Sequence, residues 1–203
     1  SCPVKSWKRT RRNKSATATG IGIVAWNSRK TDKEQVKMKL GICLKPDRFA
    51  EAAEAGFDYG EITVGELMQE RDDAAYAGLA RRIRAAPLPV EVANCFLPGT
   101  IRVTGPEVCR TALETYMEKA LSRVAAAGVS VVVFGSGGAR KLPDEFPVEQ
   151  GWSQLIEAAR LAAEIGDRQG VTIVMEPLFK RACNFFNRVA QGINLVDRVG
   201  HPR

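Results

Sequence analysis

Three junctions along the chain repeat one pattern of apolar and polar positions. In Ala50–Ile62 (AEAAEAGFDYGEI), Ser122–Gly135 (SRVAAAGVSVVVFG) and Ala162–Glu176 (AAEIGDRQGVTIVME), an Ala-rich segment stops at Gly56, Gly128 or Gly170, and a β-branched or aromatic run follows. Glycine past a helix end supplies the left-handed cap, so each junction predicts a helix, a stop and a strand. Val108, Ala112, Tyr116, Ala120 and Val124 form one stripe at helical spacing, and Trp152, Ile156, Ala159 and Ala163 another. Thr104-Gly-Pro-Glu107 predicts a capping box that opens the first of these helices. Two further strand-type runs, Lys39–Leu44 (KLGICL) and Val90–Phe96 (VEVANCF), complete the order. Strands are predicted to begin near 39, 57, 90, 130 and 171, each followed by a helical segment. Such a succession of βαβ units predicts a parallel sheet, either open and doubly wound or part of a barrel.

The last run carries the first chemical signal. Val171–Met175 is apolar throughout, as in a strand buried on both faces, and it ends on Glu176 followed by Pro177. A carboxylate at that end lies where α/β folds keep their chemistry. No GxGxxG follows the first strand, where Cys43-Leu-Lys-Pro-Asp47 stands instead, which speaks against a dinucleotide-binding sheet. The glycine cluster Phe134–Arg140 (FGSGGAR) lacks the GK[ST] ending of a P-loop. It reads either as a tight turn or as a backbone nest for an anion, with Ser136 and Arg140 favouring contact with a polar ligand.

Composition narrows the class. The chain has 203 residues, 45% of them hydrophobic, enough for a core in one domain or a small pair. Its net charge of +7 is concentrated at one end: residues 1–37 hold ten Lys/Arg against two acids, leaving twenty bases and twenty-one acids in residues 38–203. The basic stretch has neither aromatic interleaving nor a helix pattern, so 1–37 is read as a disordered or non-native leader ahead of a transit segment or a nucleic-acid arm. Met38, directly before the first strand, is where a native start would fall. Five scattered cysteines without CxxC spacing point to reduced thiols and a cytoplasmic protein. No apolar stretch approaches the roughly 20 residues of a membrane helix.

Asn94–Val108 (NCFLPGTIRVTGPEV), Val131–Phe146 (VVVFGSGGARKLPDEF) and Val171–Gly192 (VTIVMEPLFKRACNFFNRVAQG) together resemble the sugar phosphate isomerase/epimerase family of xylose-isomerase-like TIM barrels. The resemblance covers about residues 38–203 and implies a (β/α)₈ barrel with its active site at the carboxyl ends of the strands. The family motif after the fifth strand is EPLNRxExN, whose first Glu ligates a divalent metal and takes part in proton transfer. Glu176 falls on that position, so the resemblance implies that Glu176 is both a metal ligand and a catalytic residue, with Mn²⁺ or Mg²⁺ as the metal. Pro177 and Leu178 match; Phe179 replaces Asn, Lys180 replaces Arg, Ala182 replaces a substrate-contacting Glu, and Asn184 is retained. Lys180 and Asn184 therefore join Glu61, Asn94, Ser136 and Arg140 as candidate substrate residues. For Glu61 the alternative is support of a neighbouring strand, and for Asn94 a structural turn. Cys43 and Cys95 read as small packing residues, with no His close in sequence to activate them.

The family's remaining ligands are an Asp, a His and a second Glu from later strands, and the one histidine here, His201, reads as a helix-end residue. A TIM barrel takes about 250 residues, whereas 38–203 supplies 166. The expectation is a barrel truncated to about five β/α units, marginal alone, with its first and fifth strands left as edges. The function that follows is metal-dependent isomerisation or epimerisation of a sugar or sugar phosphate, with the isolated chain inactive. The alternative is a non-catalytic half-barrel that binds a partner or, through its basic arm, nucleic acid. The expected partner is a small sugar, with membrane excluded, nucleic acid disfavoured and homo-oligomers left open.

Overall fold

In a computed structural model, the structure describes residues 38–69 and 72–203; the expected basic leader at 1–37 lies outside the described residues. Five strands, β1 (Gly41–Cys43), β2 (Tyr59–Thr63), β3 (Val90–Asn94), β4 (Val131–Phe134) and β5 (Thr172–Met175), form one parallel sheet in the order β1-β2-β3-β4-β5. Sequential order with parallel pairing means that each connection crosses over on the same side, which is barrel geometry rather than a doubly wound sheet. The crossovers carry α1 (Phe49–Glu54), α2 (Val64–Leu67), α3 (Asp73–Arg84), α4 (Arg110–Ala126), α5 (Gly137–Arg140) and α6 (Val148–Gln169), and α7 (Val189–Val199) follows β5. No helix among the described residues is long and apolar enough to cross a membrane.

The glycine stops behave as the pattern predicts. Gly56, Gly128 and Gly170 have φ of 85°, 82° and 72°, the left-handed conformation that ends a helix and turns the chain into a strand. The helix stripe is shifted, however. α4 buries Leu113, Met117, Ala120, Leu121 and Val124, and it begins at Arg110, with Cys109 at its N-cap making no side-chain cap. The predicted Thr104–Glu107 box does not form. Thr104 is fully buried and donates its hydroxyl to the Lys141 carbonyl at 3.3 Å, while the Gln154 amide brackets Gly105 through both its N–H (2.8 Å) and its carbonyl (2.9 Å). Partners distant in sequence took the groups that a local cap would have used. A capping box does form at Thr63–Glu66, at the start of α2, with Glu66 N donating to Thr63 Oγ1 at 3.2 Å.

The core lies between the sheet and its helices. Ile62, Ala93, Val132 and Phe134 face the helix layer and are fully buried, against Met117, Leu121, Leu155 and Ile165. β2 and β4 alternate between buried and half-buried positions, and β5, expected to be buried on both faces, is half-buried with Val174 exposed, because the concave side of five strands is lined only by its own side chains. β4 shows this alternation residue by residue, with Val131 and Val133 half-buried and Val132 and Phe134 buried. The end strands carry exposed apolar groups, Leu40 before β1 at 57% and Val174 in β5 at 45%. On the outer edge of β5, Ile173 donates its N–H to the carbonyl of Arg203 at 2.7 Å, which brings the last residue beside the strand.

Gly170→Ala is expected to cost about 1 kcal/mol of stability from backbone strain alone, because nothing lies within 4 Å of an added Cβ. Gly105→Ala should cost more, since it has φ +101° and its Cβ would fall 2.8 Å from Pro143 Cγ. Urea unfolding of the two variants checks the order, and equal losses would contradict it.

Candidate functional site

Parallel strands bring their carboxyl ends to one rim. There β1 contributes Cys43, β2 Glu61 and β3 Asn94, while Ser136 and Glu176 follow β4 and β5. A cleft of about 430 Å³ opens among them, lined by Glu61, Asn94, Cys95, Ser136 and Glu176. The structure therefore gathers four of the candidates read from the sequence into one space.

The pairing of β4 with β5 places Glu176. Phe134 pairs with Met175, and the next amide, Glu176 N–H, donates to the Phe134 carbonyl at 3.4 Å. Its carboxylate lies over Gly135, where an added Cβ would fall well inside contact distance of Oε2 and 3.3 Å from Cδ. Only glycine at 135 leaves room for this conformation.

Glu61 is held by its neighbour. Asn94 Nδ2 donates to Glu61 Oε1 at 2.6 Å and lies 3.2 Å from Cys43 Sγ, while Asn94 Oδ1 is buried without a hydrogen-bond partner among the described residues. A bulge between Gly60 and Glu61 lets β2 shift register against β3, so that Gly60 pairs with Val90 and Glu61 with Val92.

Two residues at the rim adopt left-handed backbone without being glycine, Cys95 at φ 52° and Ser136 at φ 43°. Ser136 Oγ accepts from Leu97 N–H at 2.9 Å, so its hydroxyl braces the loop after β3 while also lining the cleft. Cys43 and Cys95 are exposed rather than packed in the core, which corrects the sequence expectation for both. Burial of part of its surroundings pushes the Cys95 thiol up, and negative charge on Cys43, Glu176 and Glu61 pushes it the same way. The group is thus a thiol, not a thiolate, at neutral pH.

The other candidates stand outside the cleft lining. Arg140 is fully buried, its guanidinium over the Phe186 ring at 4.7 Å and its Nη1 3.5 Å from the Phe134 carbonyl; Nε and Nη2 have no hydrogen-bond partner among the described residues. Burial pulls its pKa down, opposed by Cys183 and Glu176. The glycine cluster is accordingly a left-handed turn at Ser136 running into one helical turn, with its arginine directed inward instead of toward a ligand. Asn184 is a clamp: Oδ1 accepts from Leu142 N–H and Nδ2 donates to the Leu142 carbonyl, both at 2.9 Å. Lys180 is exposed on the turn after Phe179. The sequence singles out the glycine cluster that holds Gly135, but not the role of Gly135 in making room for the Glu176 carboxylate, which has no local pattern.

Glu176 offers one oxygen ligand of the kind that Mn²⁺ and Mg²⁺ take. No group of three or more His, Cys, Asp and Glu side chains among the described residues is placed to hold a metal ion. The residues described do not by themselves complete such a site.

A family model described as the xylose isomerase-like TIM barrel matches residues 49–203. A search of curated proteins finds no match. Among solved structures, the fold is similar to a D-psicose 3-epimerase crystallised with D-fructose, at 18% identity and TM-score 0.67, covering 81% of this chain and 61% of that one. A D-psicose 3-epimerase from Clostridium cellulolyticum H10 with D-tagatose gives 17% identity and TM-score 0.68, covering 81% and 61%. A family 2 AP endonuclease from Brucella melitensis gives 21% and 0.63, covering 81% and 66%. The chain spans about three fifths of the length of both epimerases.

Two outcomes follow from these environments. Alkylation of Cys95 by iodoacetamide is expected to be slow at about pH 7.5 and to accelerate only above the ordinary thiol range of about 8.5; rapid modification at the lower pH, located by peptide mass, would contradict the raised pKa. Buried Arg123, which donates to the Leu67 carbonyl at 2.9 Å, pairs with Asp73 at 3.3 Å and stacks on Tyr76, contrasts with Arg140. Arg123→Met should lower stability by about 2 kcal/mol, and Arg140→Met should cost less, because the buried Nε and Nη2 of Arg140 have no hydrogen-bond partner among the described residues and their desolvation is relieved. Urea midpoints in the reverse order would refute this.

Proposed function

The chain belongs to the xylose isomerase-like TIM barrel family, and from that premise we propose that it serves the isomerisation or epimerisation of a sugar or sugar phosphate through proton transfer next to a carbonyl. The observation that carries the reading is Glu176, a carboxylate at the end of β5 that opens into the same cleft as Glu61 and Asn94. Removing a proton from the carbon beside a carbonyl sends the C–H electron pair toward the carbonyl oxygen and produces an ene-diolate. The base must come within about 2.6–3.2 Å of the group that holds the proton. Glu176 takes that proton on its carboxylate; its return on the same face to the neighbouring carbon, with the hydroxyl proton passing to the other oxygen, isomerises the sugar, whereas epimerisation needs a second acid on the opposite face of the carbon, which Glu176 alone does not supply. Gly135 permits the required position of the carboxylate, and the Phe134 carbonyl fixes the backbone that bears it.

Family resemblance brings a divalent metal, Mn²⁺ or Mg²⁺, to Glu176, where it would stabilise the oxygens of the ene-diolate. Since the described residues supply only part of a ligand set, we propose that the isolated 203-residue chain does not turn over. The supporting likeness to sugar epimerases is one of fold.

Deuterium uptake from D₂O into ketoses, read by NMR with protein isolated from its native source, tests the proposal. Glu176→Gln is expected to cut exchange about 10²- to 10⁴-fold, and Gly135→Ala to match it by displacing the same carboxylate. Absence of exchange across ketoses and their phosphates would overturn the enzymatic reading. Exchange catalysed by the 203-residue chain alone would overturn its inactivity.

A further inference from the structure

Resting on that reading, we propose that Glu61 is a specificity-determining residue that accepts a hydrogen bond from a hydroxyl remote from the reacting carbon, with Asn94 as its positioning residue. The substrate would then be a ketose long enough to span the cleft, and not a three-carbon ketone.

Glu61 is placed for recognition by three features. It lines the cleft with Glu176 but stands on β2, three strand intervals away from β5, about 14 Å along the curved sheet. The strands that bear the two carboxylates are separated by β3 and β4, and the cleft of about 430 Å³ that both line has room for a molecule longer than a three-carbon ketone. One oxygen, Oε1, is occupied by Asn94 Nδ2 at 2.6 Å, which fixes the rotamer and leaves Oε2 for a donor. An ionised carboxylate is an acceptor only, so the group it selects must carry an O–H or N–H, which the hydroxyls of a sugar supply.

Asn94 shows that the arrangement has a cost. Its amide spends Nδ2 on Glu61 and Cys43 and leaves Oδ1 buried without a partner among the described residues. A buried unpaired acceptor is unfavourable, and a purely structural asparagine would have its carbonyl satisfied, as Asn184 does by bonding Leu142 in both directions. The Asn94 amide is therefore oriented for Glu61 at its own expense. The register shift at Gly60/Glu61, where Glu91 of β3 is passed over, sets the pairing of Glu61 with Val92, two residues before Asn94.

The test is ligand-observed NMR titration of the full 203-residue chain with D-fructose and, separately, dihydroxyacetone. Wild type should bind D-fructose more tightly. Glu61→Ala should weaken D-fructose about tenfold and leave dihydroxyacetone unchanged; Asn94→Ala should give a smaller loss in the same direction; and Glu61→Gln, which keeps an acceptor oxygen, should recover much of the affinity. Circular dichroism identifies any variant that fails to fold, and Glu61→Gln, the least disruptive change, then decides together with Asn94→Ala. Equal loss for both ligands, or no loss for either, overturns the role of Glu61 while leaving the proposed reaction standing. A wild-type chain that binds neither ligand overturns this inference, while the proposed reaction is judged separately by deuterium exchange with the native-source protein.

Discussion

The parallel pairing of β4 with β5 is the constraint on which the mouth of the fold depends. Four register pairs, from Val131–Thr172 to Phe134–Met175, align the two strand ends and carry the next amide, that of Glu176, onto the Phe134 carbonyl. From there the chain must leave the sheet at once, because Pro177 has no N–H to continue a ladder. The same carbonyl lies 3.5 Å from Arg140 Nη1, so one backbone oxygen of β4 is shared by the strand that bears the carboxylate and the loop that supports it. A one-residue slip would turn Glu176 to the other face of the sheet and empty the cleft of its central group.

Around that pairing the three loops after β3, β4 and β5 are joined into one platform. Leu97 N–H reaches Ser136 Oγ, Val103 N–H reaches the Ala139 carbonyl at 2.9 Å, and Arg102 reaches the Gly138 carbonyl at 2.5 Å. Asn184 ties the loop after β5 to Leu142, and Asn187 closes that loop on itself through the Leu178 and Cys183 carbonyls at 2.6 and 2.8 Å. These are mostly bonds between side chains and backbone, which order irregular chain that no ladder would hold. Arg140 is the exception to thrift in this platform. It is buried, stacked on Phe186, and leaves two of its nitrogens without hydrogen-bond partners among the described residues. Desolvating such a charge without full pairing is costly. What the position gains on the page is a flat cation filling the space between β4 and the loop that ends at Phe186.

How much of this was legible in the sequence follows from the range of the interactions involved. The order of strands and the glycine stops are local or periodic, and Gly56, Gly128 and Gly170 could be read from what precedes and follows them. Glu176 was visible because a charge at the end of an apolar run has few structural explanations. α4 was misplaced at its start because Thr104 carries the signature of a cap but finds its partner in Lys141, 37 residues on, while the same signature at Thr63–Glu66 passed unread inside a strand-helix junction. Arg140 and Asn184 looked like ligand contacts because sequence shows the chemistry of a side chain and not its direction. One is turned into the core and the other onto a backbone amide. The role of Gly135 was invisible for the converse reason: its contribution is an absence, meaningful only once the Glu176 carboxylate is known to lie above it.

The cleft and the helix-facing core obey different rules, and the contrast locates where function constrains the fold. On the helix side, Ile62, Ala93, Val132 and Phe134 are fully buried and apolar, and local preference agrees with tertiary packing. On the rim, Cys95 and Ser136 hold backbone angles that favour glycine, and Asn94 leaves an acceptor without a partner among the described residues. Each such departure costs on the order of 1–3 kcal/mol, and a domain is stable by only about 5–15 kcal/mol. Three such departures lie around one cleft with two carboxylates, while Glu145 and Phe186 hold similar backbone angles away from it. Under the proposed function, the departures at the rim are accounted for by the need to hold Glu176 and Glu61 at fixed positions, as in a site that grips one end of a molecule while moving a proton at the other.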